Sequence, residues 1–125
     1  MRIIMGNESD LSVSIGRDCM ISSDVTIRST DGHAIYELGT GKIINRARPI
    51  VIGDHVWIGA GVTLMKGAGV ASNSVIGRAS MVTRRFDEEN VVLAGTPAKV
   101  VRNQIMWDRR YISHFAETDF HVLDG

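Results

Sequence analysis

The sequence predicts an all-β protein, a coil of short parallel strands stacked into a triangular prism. Three observations predict it. An aliphatic residue recurs at Ile52, Ile58, Leu64, Val70, Ile76 and Val82, always six residues apart. The residue that follows is Gly at 53, 59 and 77, with Met65, Ala71 and Thr83 completing the set. Four residues after each aliphatic stands a small or β-branched side chain: Val56, Val62, Ala68, Ser74 and Ser80. A period of six is neither the 3.6 of a helix nor the simple alternation of a long strand. A short strand followed by a tight turn explains it, and three such units close a coil of about 18 residues. The aliphatic points inward, the small residue fits near the corner, and Gly is read as allowing unusual backbone angles.

The same beat starts earlier, at Ile15, Ile21 and Ile27, with Cys19 and Val25 in the small-residue position. From Ile27 to Ile52 is 25 residues, one more than four hexads, so the beat slips between them. The Gly- and Pro-bearing stretch Gly39–Pro49 carries the slip, which predicts a protruding loop over about 36–50. The pattern stops at Arg84–Asn90, and a short strand is expected at Val91–Ala94. From Asn103 to Glu117 a helix is expected, because Met106, Trp107, Ile112 and Phe115 can share a broad apolar face. The chain thus divides into a prism over 1–102 and a helix with a frayed tail over 103–125.

Composition narrows the function classes. The chain has 125 residues, with 14 Lys plus Arg against 14 Asp plus Glu. This balance gives no bulk attraction to nucleic acid or an anionic membrane. Aromatic residues make up 6% while Gly numbers 13, as suits a narrow interior with many turns. No apolar run approaches the roughly 20 residues that span a bilayer, so no membrane insertion is expected. Met1–Gly6 lacks the apolar stretch of a signal peptide. The lone cysteine, Cys19, cannot form an internal disulfide. It falls in an inward position and reads as core packing. A reducing, cytoplasmic setting follows as the expectation.

Beyond the repeat stand more specific motifs. Val51-Ile52-Gly53-Asp54-His55-Val56-Trp57-Ile58-Gly59 opens the second run of hexads, and Val75–Arg84 follows it. Ala94-Gly95-Thr96-Pro97-Ala98-Lys99-Val100-Val101-Arg102 closes the run. Upstream, Thr30-Asp31-Gly32-His33 ends 24 residues before Trp57. On these motifs, residues 13–102 resemble the hexapeptide-repeat acyltransferases, and most closely the sugar and polysaccharide O-acetyltransferases among them.

The resemblance implies a left-handed parallel β-helix, a hand that spacing alone does not give. It implies homotrimers with a site between neighbouring prisms, acetyl-CoA as cosubstrate, and a small-molecule or saccharide acceptor. His33 is then the general base that takes a proton from the acceptor hydroxyl. A protonated hydroxyl is a poor nucleophile, and imidazole is the side chain best suited to activate it near neutrality. The other ring nitrogen needs a partner, and Asp31, Glu37 or a backbone carbonyl could serve. Trp57 precedes an inward aliphatic, so it points outward, as a wall for acceptor or pantetheine. A backbone amide near Gly59–Ala60 is a candidate oxyanion donor.

Phosphates of the cofactor call for cations. Arg84, Arg85, Lys99 and Arg102 follow the last full hexad. By resemblance Thr83, Arg84 and Arg102 touch the cofactor, with Lys99 beside them and Ala60 and Arg78 meeting pantetheine through their backbones. Arg84 replaces the family's usual Lys. His55 reads as a plain outward position, and His114 and His121 have no partner at motif spacing. A zinc hydratase on the same prism would need three histidines, whereas the repeats contain only His33 and His55, so no metal is expected. An N-acetyltransferase acting on an amino sugar and a non-catalytic β-helix scaffold are the alternatives that remain.

Overall fold

The computed structural model describes residues 1–6 and 12–115. Three sheets form the sides of a prism. Sheet I contains β2 (Val13–Ile15), β5 (Ile50–Ile52), β8 (Gly69–Val70) and β11 (Arg85–Phe86). Sheet II contains β3 (Met20–Ile21), β6 (Trp57–Ile58), β9 (Val75–Ile76), β12 (Val92–Gly95) and β13 (Ala98–Arg102). Sheet III contains β1 (Arg2–Ile4), β4 (Thr26–Arg28), β7 (Thr63–Met65) and β10 (Met81–Val82). The chain visits them in the order I, II, III and begins again. All pairings within the sheets are parallel except that of β12 with β13, where the chain turns back on itself.

Register explains the six-residue beat. Ile52 pairs with Val70, Ile58 with Ile76, and Leu64 with both Ile27 and Val82, so each buried aliphatic stacks on its equivalent one coil away. Ile27, Ile58, Leu64, Ile76 and Val82 are fully buried, as are Val56 and Val62 from the small-residue position. Cys19, half-buried, packs against this core and donates its thiol to Gly53 O at 3.3 Å.

Glycine serves the coil differently from the sequence reading. Gly53 and Gly59 are needed because the next coil comes too close. A Cβ would lie 2.7 Å from Ser72 N at Gly53 and 2.7 Å from Ile76 O at Gly59. The left-handed corners are mostly taken by side chains that tolerate them, at Asp18, Asp24, His55, Asn73 and Asn90, with Ala79, Gly61 and Gly67 taking others.

The expected loop starts earlier, directly after β4, and returns to β5. It leaves the prism at the corner between sheets III and I, the corner opposite sheet II. The prism also continues past the end of the beat. Phe86 lies only four residues after Val82, yet it pairs with Val70 and is buried, as are Val91 and Leu93.

The expected helix from Asn103 onward is not formed. Residues 103–111 are an irregular strap, followed by one 3-10 turn at Ile112–His114. Gln104 adopts φ +56, which interrupts a helix at its start. The strap's polar groups find partners on the prism instead. Ile105 N donates to Asn90 O at 3.0 Å, and Trp107 Nε1 donates to His55 O at 2.8 Å. Residues 116–125, with the end of the expected helix, the tail and His121, lie outside the described residues.

Candidate functional site

His33 sits exposed in the corner loop, and side-chain pins replace a regular ladder around it. The buried Asn45 donates through Nδ2 to His33 O at 2.8 Å and to Asp31 Oδ2 at 3.1 Å, and its Oδ1 accepts from Ile35 N at 2.7 Å. Lys66, at the same corner one coil on, holds Asp31 Oδ2 at 2.6 Å. Arg28 adds bonds to the carbonyls of Thr30 and Asp31. The Lys66 ammonium, helped by Asn45, keeps the Asp31 carboxyl below the usual carboxylate range. A cavity of about 160 Å³ opens here, lined by Gly32, His33, Ala34, Ile43, Asn45 and Arg46.

Two candidates for orienting the imidazole are engaged elsewhere. Asp31 is taken by Lys66 and Asn45, and Glu37 accepts from Thr40 Oγ1 at 3.0 Å. The loop therefore fixes the backbone of His33, an exposed residue that lines the cavity.

Trp57 lies on β6 of sheet II with 37% of its surface exposed. It points outward as the hexad position requires, beside Met20 and Val75 of the neighbouring strands. Trp107 of the strap stands next to it, ring centroids 6.2 Å apart and planes tilted by 50°.

The residues expected to meet the cofactor fall on two sides of the prism. Thr83 and Arg84 form the corner between β10 and β11, the same edge from which the His33 loop springs. The Arg84 guanidinium lies 3.9 Å from the Phe86 ring centroid. Ala60 and Arg78 occupy the corner between sheets II and III, where Ala79 N donates to Ala60 O at 2.8 Å. Lys99 and Arg102 are exposed on β13, which joins the sheet of Trp57. The cluster of cations expected after the last hexad is thus divided, with Arg84 and Arg85 on one side and Lys99 and Arg102 on another. Arg85 is further engaged by Asp87 at 2.7 Å. At the candidate oxyanion turn, Gly59 N is taken by Ile76 O and Gly61 N by Ser23 O, so Ala60 carries the amide that remains for a ligand.

Comparison with known proteins bears on the family. No family model matches the chain. A polysialic acid O-acetyltransferase of Escherichia coli O1:K1 / APEC is 45% identical over 98 residues, covering 78% of this chain and 32% of that protein. Galactoside O-acetyltransferase of Escherichia coli (strain K12) is 37% identical over 102 residues, covering 82% and 49%. Among solved structures, a polySia-specific acetyltransferase superposes with TM-score 0.76 at 45% identity, over 78% of this chain and 45% of that one. In sequence and in fold the chain matches the hexapeptide-repeat acyltransferases.

A second structure, galactoside acetyltransferase in complex with coenzyme A, superposes with TM-score 0.65 at 37% identity, over 81% of this chain and 48% of that one. The parallel coil has the left hand of these family members. The chain spans about half the length, or less, of the curated relatives it matches. No helix among the described residues is long and apolar enough to cross a membrane. Among the same residues, no three metal-ligating side chains converge.

Sequence reasoning missed two residues, one at each of these places. Asn45 looks like one more polar residue in a loop, and only its burial reveals three hydrogen bonds. His55 is not a plain surface position but binds Asp18 and the strap. Its signal was positional, since the residue three before an inward aliphatic is a left-handed corner, as at Asp18, Asp24, Asn73 and Ala79.

Proposed function

We propose that the chain is an acetyl-CoA-dependent O-acetyltransferase acting on a hydroxyl of a sugar or polysaccharide precursor, with its site completed between protomers of a homotrimer. One observation carries the shared site. The His33 loop leaves the corner opposite the sheet that bears Trp57, so one prism presents the base and the wall on opposite sides. Cyclic symmetry brings such unlike sides together, once at each interface. The same division accounts for the two groups of cofactor residues. Thr83 and Arg84 would approach from the protomer that supplies His33, and Ala60, Arg78, Lys99 and Arg102 from the one that supplies Trp57.

In this reading His33 takes the proton of the acceptor hydroxyl as its oxygen forms the bond to the acetyl carbon. The Ala60 amide faces the negative charge that develops on the carbonyl oxygen. The carbon–sulfur bond then breaks, and His33 returns the proton to the departing thiolate. No covalent intermediate on the protein is required, and Cys19, packed against the core, takes no part. Its free thiol fits a cytoplasmic setting.

The names of the relatives set the acceptor screen. Thiol release from acetyl-CoA should be followed with polysialic acid, galactosides, other saccharides, amino sugars and simple amines. Turnover on a saccharide hydroxyl is the expected result. Turnover only on amines would move the chain to N-acetylation. Absence of coenzyme A binding would make it a scaffold.

A further inference from the structure

Asp18, His55, Trp107 and Arg109 form a cluster beside Trp57 that the acyl-transfer reading does not use. The His55 ring stacks on Trp107 with centroids 3.8 Å apart and planes within 9°. Its Nδ1 lies 2.7 Å from Asp18 Oδ2, and its Nε2 lies 3.1 Å from Trp107 O. Arg109 binds the same Asp18 through its carboxylate and, at 3.0 Å, through its carbonyl, while lying 5.3 Å from the Trp107 ring centroid.

Both oxygens facing His55 are acceptors. Asp18 is an ionised carboxylate, held below the usual range by His55 and then by Arg109. A peptide carbonyl cannot donate. The other charged groups facing the ring are Arg109 and Asp108, and the latter is held at about 2 by Arg110. His55 thus meets the strap at Trp107 through its Nε2 contact with Trp107 O, a stacked ring and the reciprocal bond from Trp107 Nε1 to His55 O, while its Nδ1 is held by Asp18.

We propose that the strap is a positioning element of the site, in which Trp107, stacked on His55 and bonded to its carbonyl, fixes the orientation of Trp57. Trp107 is buried and Trp57 is partly exposed, so the first ring supports the second from one side and leaves the rest to face ligand. Removing the support opens space beside Trp57 and frees its rotamers. The wall for acceptor or pantetheine then loses its shape, although no group that touches the reacting atoms has changed. This inference rests on the acyltransferase reading for its catalytic consequence, but its geometric part stands apart from it.

The chain has two tryptophans, so replacing Trp107 leaves Trp57 as the sole indole reporter. W107A and W107F should be compared as full-length proteins, with far-UV circular dichroism to confirm the prism. We expect acrylamide to quench Trp57 more in W107A than in W107F. We also expect kcat/KM for the acceptor to fall about 10- to 100-fold in W107A, the scale of a small misplacement, with W107F restoring most of it. His55→Asn tolerates the left-handed corner but lacks the ring. Added to W107F, it should raise the quenching again.

Equal quenching in W107A and W107F, with kinetics like the wild type, would overturn the positioning role. If wild-type protein turned over no acceptor at all, the acyltransferase reading would fail, while the fluorescence comparison would still decide whether the strap orients Trp57.

Discussion

The corner loop that carries His33 and the sheet that carries Trp57 are held by different chemistry. In the loop a short stretch around the Tyr36–Ile43 bridge is held by backbone bonds, and the segment bearing His33 is pinned by Asn45, Arg28 and the Asp31–Lys66 pair acting on backbone and carboxylate. On sheet II the support consists of rings, with His55 stacked on Trp107 and Trp107 beside Trp57, above a regular parallel ladder. The difference teaches a division of labour. The division fits the proposed roles: a base that meets varied hydroxyls would keep its ring exposed on a pinned backbone, and a wall that keeps its shape would have its ring braced from the side.

His33→Ala tests the loop half of this division and should have the largest effect. Loss of a general base lowers kcat by about 10²–10⁴-fold. Coenzyme A affinity and thermal midpoint should stay near wild type, because the exposed imidazole serves neither. Near-normal turnover would place the base elsewhere.

Cofactor binding sharpens the comparison next. If Arg84 meets a phosphate from the His33 side, Arg84→Ala should weaken coenzyme A binding about tenfold or more, as for loss of a charge-assisted hydrogen bond. Titration calorimetry at rising salt should show the wild-type affinity falling. A salt-independent affinity, unchanged in the variant, would remove Arg84 from the site.

Asn45→Ala probes the pins directly. It strands the Ile35 amide and removes the bonds to His33 O and Asp31, at a cost of about 1–3 kcal/mol. Limited proteolysis should cut the loop faster while the prism survives. The equivalent loss on the sheet II face should leave the loop's cleavage rate unchanged.

The smallest effect is a pH dependence. The folded pKa of Asp31 is lowered, chiefly by Lys66, so its contribution is complete above the unfolded value near 3.8 and is lost as pH falls through the lower folded value. Loop protection in hydrogen exchange should therefore decline only on acidification below that ordinary value. In Lys66→Met the decline should begin at higher pH.

What the sequence disclosed follows the same boundary. The hexad was legible because each buried aliphatic meets its equivalent at constant spacing, as Ile58 meets Ile76. Phe86 escaped the pattern because the corner holding Thr83 and Arg84 is only two residues long. The strap imitated a helix because Met106, Trp107, Ile112 and Phe115 fit a helical face, yet Trp107 finds its partner in His55, 52 residues away. Asn45 and His55 were hidden for the same physical reason. Their importance lies in partners brought close by folding, and local spacing does not encode those.

The shared site is the central claim, and mixed oligomers test it most directly. His33→Ala and Trp57→Ala chains, each with little activity alone, would be co-expressed with different tags and purified together. If His33 of one protomer works with Trp57 of its neighbour, random mixing in equal amounts gives half times half, so about one quarter of interfaces hold both native residues. The account predicts recovery of activity toward that fraction of wild type. Activity that stays at the average of the two parents, in oligomers shown to contain both tags, would contradict it.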